Sequence, residues 1–164
     1  FASFRASGEV PERHRTGSHR VVPFQSFETK TGPLIIAAGN DRLFAKLGQV
    51  LGHPEWATDP RFATNGARVE SKPELLPEIE RILITRSKGE WIDLLEAAGV
   101  PCGAIHTLPE AVSHPQAAAI GMIQPVPGDD YELVALPLSF DGARPGIRRA
   151  PPKAGEHTRE IRGG

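Results

Sequence analysis

The chain has 164 residues, with 19 Lys and Arg against 20 Asp and Glu. It therefore suits one domain, or one domain with part of another, and has no charge excess to draw nucleic acid or an anionic membrane surface. Its single cysteine, Cys102, makes no internal disulfide, and no apolar run approaches the roughly 20 residues that a membrane-spanning helix needs, so the expectation is a cytoplasmic protein without nucleic-acid or membrane partners.

The chain opens at Phe1 with neither an initiating methionine nor a leader and reads as a piece of a longer protein. From Phe1 to about Ser18 the text is polar and basic, and "GEVPERHRTGSH" has no sustained period, which predicts a connecting segment or lid. "VVPFQSFET" and "LIIAA", either side of "KTG", carry the β-branched and aromatic content of two antiparallel strands in a hairpin.

Asn40 and Asp41 offer N-cap side chains, Leu43, Phe44, Leu47, Val50 and Leu51 recur at helical spacing, and Gly52 supplies a stop. Ser71 with Glu74, and Ser87 with Glu90, have the spacing of a capping box and predict two further helices. In the first, Leu75, Leu76, Ile79, Ile82 and Leu83 form the stripe, and Pro77 points to the first turn instead of the interior. In the second, Trp91, Ile92, Leu94, Leu95 and Ala98 face inward and Gly99 ends the helix, after which "VPCGAI" reads as a short buried strand. Thr107 with Glu110 repeats the capping pattern. "MIQPVP", the turn "PGDD" and "YELVALPLSF" predict a second strand pair, with an exposed edge prone to pair between chains. The tail "RPGIRRAPPKAGEHTREIRGG" is too poor in apolar residues to fold alone and is expected to run extended, with a helix start near Thr158.

"GHPEWATDPRFATNGARV" places His53, Glu55 and Asp59 close together, as a metal or acid/base site would. The spacing matches no helical ligand pair, and Pro54 and Pro60 impose extended backbone on the residues before them. A folded loop accounts for it better, with Asp59 and Thr58 bonding nearby amides and Trp56 and Phe62 packed beneath; no metal site is expected. Cys102 follows Pro101 in an apolar strand and reads as a small core residue, although His106 lies four positions on. Arg144, Arg148, Arg149 and Lys153 have the chemistry to bind phosphate, yet a charge run in a Pro-rich tail is ordinarily solvated or paired. No Gly-rich phosphate loop, nucleophile elbow or paired-cysteine zinc spacing is present, so residue chemistry alone yields no enzyme.

The succession "AAGNDRLFAKLGQVLG", "DPRFATNGARV", "EWIDLLEAAGVPCGAI" and "APPKAGEHT" closely resembles the C-terminal part of the family III CoA-transferases, the CaiB/BaiF type that includes formyl-CoA transferase and the α-methylacyl-CoA racemases. The resemblance implies an α/β protein: a small α+β domain with a short antiparallel sheet and surrounding helices, and a C-terminal piece of a large Rossmann-like domain. It divides the chain into a linker and lid at 1–31, the small domain at 32–114 and a return segment at 115–164, in an interlocked homodimer. Transferases of this family move CoA between carboxylic acids through an aspartate that forms acyl-anhydride and CoA-thioester intermediates. That aspartate and most CoA contacts would lie upstream of Phe1, which leaves no catalytic residue in this chain and makes it inactive alone. The acyl-CoA thioester enters as co-substrate, and no permanently bound cofactor is implied. What the chain would supply is a pocket lid at Gly17, Ser18 and His19, in "TGSHRVVPFQ", where Ser18 and Arg20 depart from the asparagine and proline of many relatives. The alternatives are a racemase-type enzyme, whose proton-shuttling histidine and aspartate would also lie upstream, and a stand-alone interaction module.

Overall fold

A computed structural model of the chain describes residues 2–8, 10 and 16–163. The expected connecting segment over 1–18 lies partly outside these residues, and its start is helical: α1 spans Ala2–Ser7 and closes where Gly8 N–H bonds the Phe4 carbonyl at 2.8 Å. β1 (Phe24–Phe27) and β2 (Leu34–Ala37) form the anticipated antiparallel hairpin, in register Phe27↔Leu34 and Phe24↔Ala37. β3 (Cys102–Ala104) pairs antiparallel with β2 on its other side, so the sheet order is β1-β2-β3. Alternation along β2 turns Leu34 and Ile36 inward while Ile35 faces out, as one buried sheet face requires.

Helices cover that inner face. α2 (Asp41–Leu51) starts where the Asn40 side chain accepts the Leu43 N–H at 2.8 Å and ends at Gly52, whose φ of +82° is the left-handed conformation that glycine adopts without strain. It buries Phe44, Leu47 and Leu51. A 3₁₀ turn, Pro54–Ala57, and a short helix absent from the sequence reading, α3 (Asn65–Glu70), follow. Thr64 caps α3 by accepting the Ala67 N–H at 3.2 Å, but position 67 is alanine, so the Ser/Thr-x-x-Glu signature that marks other starts is missing.

α4 (Lys72–Leu83) corrects two expectations. Ser71 makes no side-chain cap, because it is also the residue that closes α3, its N–H bonded to the Ala67 carbonyl, and Glu74 pairs instead with Arg61. Pro77 sits inside the helix, not in its first turn. An interior proline costs about 3 kcal/mol, whereas burying Leu75, Ile79 and Leu83 contributes about 1.5–3 kcal/mol each, so packing decides the conformation. The carbonyl that Pro77 leaves without its amide belongs to Pro73, an exposed residue open to water.

α5 (Lys88–Ala97) has the predicted reciprocal box, with Ser87 N–H on Glu90 Oε2 at 2.9 Å. Trp91 and Leu95 are buried and Ile92 and Ala98 pack against the core, whereas Leu94, expected inside, is 40% exposed. The indole of Trp91 donates to the Leu83 carbonyl at 2.7 Å, joining the end of α4 to α5. A buried arginine completes this core. Arg68 has no exposed surface and donates to the carbonyls of Val22 (2.7 Å), Phe62 (2.8 Å) and Gly39 (2.8 Å) and to Asp41 Oδ1 (2.9 Å).

The chain forms two compact units, Phe1–Ile105 and His106–Gly164. The first therefore includes β1, which the expected boundary at residue 32 left outside, and ends before the segment 106–114 that the same expectation included. Two causes are visible in the first unit: β1 is hydrogen-bonded along its length to β2, and Ile105 N–H still bonds the Pro33 carbonyl at 3.2 Å.

In the second unit, α6 (Leu108–Val112) carries the expected Thr107–Glu110 box and α7 (Pro115–Ala119) follows directly. β4 (Ile123–Pro125) and β5 (Glu132–Val134) form the second antiparallel pair. β5 is only three residues long, and the apolar row Val134, Leu136, Leu138 and Phe140 that continues from it is exposed. The tail ends in the helix expected near Thr158: α8 (Thr158–Arg162) forms with His157 at its N-cap position.

Candidate functional site

Among the expected lid residues, Gly17 and Ser18 are half-buried and His19 is exposed. Thr16 and Ser18 lie along the outer edge of β1. Ser26 donates from both N–H (3.3 Å) and Oγ (2.8 Å) to Thr16 Oγ1, and Ser18 N–H bonds the Phe24 carbonyl at 3.0 Å. The chain then turns back on itself. Ser18 Oγ accepts the amides of Arg20 (3.2 Å) and Val21 (3.1 Å), a serine turn, so this hydroxyl is committed to the backbone. His19 Nε2 accepts from Arg20 Nε at 3.1 Å.

Helices α3 and α4 hold the turn from the other side. Asn65 Nδ2 donates to the Arg20 carbonyl at 2.8 Å while its Oδ1 accepts the Val22 amide at 3.0 Å. Lys72 Nζ donates to the Ser18 carbonyl at 2.6 Å. Val21 closes over Gly39, where an added Cβ would lie 1.9 Å from Val21 Cγ1. Beside the turn, Val21, Phe24, Ala37 and Leu43 form the apolar side of an open cleft of about 660 Å³, with Asn40 and Asn65 on its rim.

None of Asn65, Arg68 and Lys72 was singled out in the sequence. Arginine is almost never fully buried, and nothing in "NGARVESK" tells an arginine that binds carbonyls from one in water.

The loop from Gly52 to Val69 is folded as its prolines suggested, except that Thr58 Oγ1 donates to the Glu55 carbonyl at 3.2 Å where it was expected to bond an amide. His53 Nδ1 meets Glu55 Oε1 at 2.8 Å, and the imidazole stacks on Trp56 with centroids 4.6 Å apart. Asp59 turns the opposite way, accepting Arg61 N–H at 2.9 Å and pairing with its guanidinium at 2.6 Å. That hydrogen bonding holds the Asp59 carboxyl below its ordinary range, and Glu55 is lowered by its own backbone amide and by His53. Trp56 is buried between Phe44, stacked at 6.1 Å, and Phe62, edge-on at 6.1 Å. Among the described residues no group of three or more His, Cys, Asp and Glu side chains can hold a metal ion.

Cys102 packs against the core from β3, and burial pushes its thiol up, opposite to what a nucleophile needs. His106 belongs to the second unit. There, Arg144 spends its guanidinium on the carbonyls of Ile120 (2.9 Å) and Leu136, and Arg149 lies 3.8 Å from Glu160, while the side chains of Arg148 and Lys153 are exposed. His157 makes no side-chain cap and instead meets Glu160 Oε2 at 3.2 Å.

The sequence pattern of CoA-transferase family III matches residues 1–158. The chain belongs to CoA-transferase family III. Within the family, the acetyl-CoA:oxalate CoA-transferase of Acetobacter aceti is 37% identical over 118 residues, 72% of this chain and 30% of its own length. The succinyl-CoA:glutarate CoA-transferase of Mus musculus is 28% identical over 163 residues, 98% of this chain and 37% of its own. The crystal structure of a CaiB/BaiF family protein from Brucella suis superposes with a TM-score of 0.80 at 34% identity, covering 98% of this chain and 42% of that one. The chain thus spans about a third of the length of the first two relatives and less than half of the third. Mixed helices and short antiparallel sheets are the architecture expected of it. Among the described residues no helix is long and apolar enough to cross a membrane.

Proposed function

We propose that the chain is the C-terminal part of a cytoplasmic, homodimeric CoA-transferase that moves CoA from an acyl-CoA to a free carboxylic acid, with the catalytic aspartate outside residues 1–164. The observation that carries this reading is the family match over residues 1–158. In the reaction the aspartate carboxylate attacks the thioester carbonyl, the C–S bond breaks and CoA leaves as thiolate, giving a mixed anhydride. The thiolate returns to the aspartyl carbonyl, releasing the first acid and leaving an aspartyl-CoA thioester. The acceptor carboxylate then attacks that thioester, and the thiolate released attacks the new acyl group, restoring the aspartate. CoA is substrate throughout, and the reaction calls for neither a permanently bound cofactor nor a metal.

The residues described here contribute fold, dimerisation and pocket closure. The segment ahead of β1 arrives from the large domain, the unit that ends at Ile105 makes the small domain, and the residues from His106 onward return towards the large domain. Gly17, Ser18 and His19 lie over the acyl thioester, and two features support that: the serine turn gives the segment a defined shape, and the neighbouring cleft has apolar walls.

The test uses the full-length protein and the 164-residue chain side by side, with acetyl-CoA plus oxalate and succinyl-CoA plus glutarate, reading thioester products by mass. Transfer by the full-length protein and none by the chain is expected. Turnover by the chain alone contradicts the assignment, and racemisation of an α-methylacyl-CoA without consumption of an acceptor acid establishes the racemase chemistry instead.

A further inference from the structure

We infer that Asn65, Arg68 and Lys72 are positioning residues that grip the backbone of Ser18–Val22 and thereby set where Gly17, Ser18 and His19 stand over the acyl thioester, an inference resting on the lid reading above. All three come from one stretch of chain, at i, i+3 and i+7 from the first residue of α3 to the first residue of α4. Four backbone groups are engaged: the Ser18 carbonyl by Lys72, the Arg20 carbonyl and Val22 amide by Asn65, and the Val22 carbonyl by Arg68.

Contacts of this kind fix a segment's position without reading its side chains. The Ser18 hydroxyl shapes the turn from within, and the grip sets where that turn stands. Gly39 supplies the opposing wall, since Val21 lies where a Cβ would be and the Gly39 carbonyl is itself held by Arg68 at 2.8 Å. The turn is thus fixed on one side by three donors and on the other by a residue with no side chain.

The members of the grip differ in what else they hold. Arg68 also ties Phe62 and Asp41 into the core, so its loss disturbs the fold as well as the turn. Lys72 is only half-buried, and its ammonium reaches the turn at the carbonyl next to His19. Lys72→Met keeps an apolar stem of similar length and removes the charge-assisted bond, which makes it the clean probe.

The experiment compares full-length wild-type protein with Lys72→Met and Lys72→Arg, and uses Asn65→Ala as a second release of the turn. Hydrogen exchange of residues 16–22 is read together with KM and kcat for succinyl-CoA plus glutarate and acetyl-CoA plus oxalate. Lys72→Met is expected to speed exchange in 16–22 about tenfold, as loss of one charge-assisted bond implies, with exchange in α2 and α5 unchanged. KM for the thioester rises several-fold with a smaller change in kcat, and Lys72→Arg restores both readouts. Unchanged exchange at 16–22 in both Lys72→Met and Asn65→Ala overturns the grip and leaves the lid reading standing. Faster exchange with unaltered KM and kcat overturns the lid reading and the inference with it. The exchange readout needs no turnover, so failure of the transferase assignment is seen separately.

Discussion

Arg68 lays its guanidinium over the ring of Phe44, with Cζ 4.4 Å from the ring centroid, and neither side chain has exposed surface. Burial pushes this arginine's pKa down and the Asp41 carboxylate partly restores it, yet the group stays charged because its starting value is so high. One side chain thereby closes the polar valences of three separate stretches, at Val22, Gly39 and Phe62. Arg68→Met leaves those carbonyls unpaired and is expected to lower unfolding stability by about 3–5 kcal/mol, read by denaturant titration. Arg68→Lys should lose nearly as much, since an ammonium lacks the planar fork and the stacking face. A loss below about 1 kcal/mol in both would show that water replaces the guanidinium.

Two helical glycines make opposite predictions. A Cβ on Gly48 in α2 would lie 2.7 Å from the His53 carbonyl oxygen, a backbone atom whose residue is tied to Gly48 by its own N–H, so Gly48→Ala should destabilise by about 1–3 kcal/mol. Gly89 in α5 has open space around it, so Gly89→Ala should stabilise by about 0.5–1 kcal/mol through helix propensity alone. Thermal unfolding of the pair checks the sign of each.

Several carboxylates outside the core have lowered pKa values in the fold: Asp59 through hydrogen bonds from Arg61, Glu78 through Arg81 and Glu90 through Ser87. A depressed folded-state pKa contributes stability that is fully present above the unfolded value, about 4, and is lost as pH falls through the folded one. Stability should therefore be level above about pH 5 and decline below about pH 4, with a shallower decline in Asp59→Asn. Stability that rises on acidification through this window would contradict these pairings.

Cys102 should behave as a core thiol. With its pKa raised by burial, it is expected to alkylate with iodoacetamide at neutral pH more slowly than free cysteine, and to match free cysteine once the chain is unfolded in denaturant. Equal rates in the folded protein would show that burial does not suppress the thiol, and faster ones would indicate an activated thiol.

The elements readable from sequence are those whose signals are local. Asn40 before α2, the Ser87–Glu90 and Thr107–Glu110 boxes and the two strand pairs all rest on residues within a few positions of one another. What escaped depends on partners far along the chain. Ser71 and Glu74 have the right spacing, but Arg61 takes the glutamate; Pro77 looks like a helix start until the burial of Leu75, Ile79 and Leu83 is weighed against it. The candidate site is the extreme case, because Asn65 and Lys72 find Arg20, Val22 and Ser18 more than 40 positions away. Gly17, Ser18 and His19 were reached through family resemblance, and no pattern in the sequence pointed to the side chains that hold them.

The central claim is that this chain shapes a CoA-transferase whose covalent chemistry happens on another part of the protein. The most direct measurement is to incubate the full-length protein with succinyl-CoA, trap the acyl-aspartyl or aspartyl-CoA intermediate with hydroxylamine as a hydroxamate, and map the modified residue by peptide mass. The account predicts one modified aspartate outside residues 1–164 and none within them. A hydroxamate on Asp41, Asp59, Asp93 or any other carboxylate of this chain would contradict it.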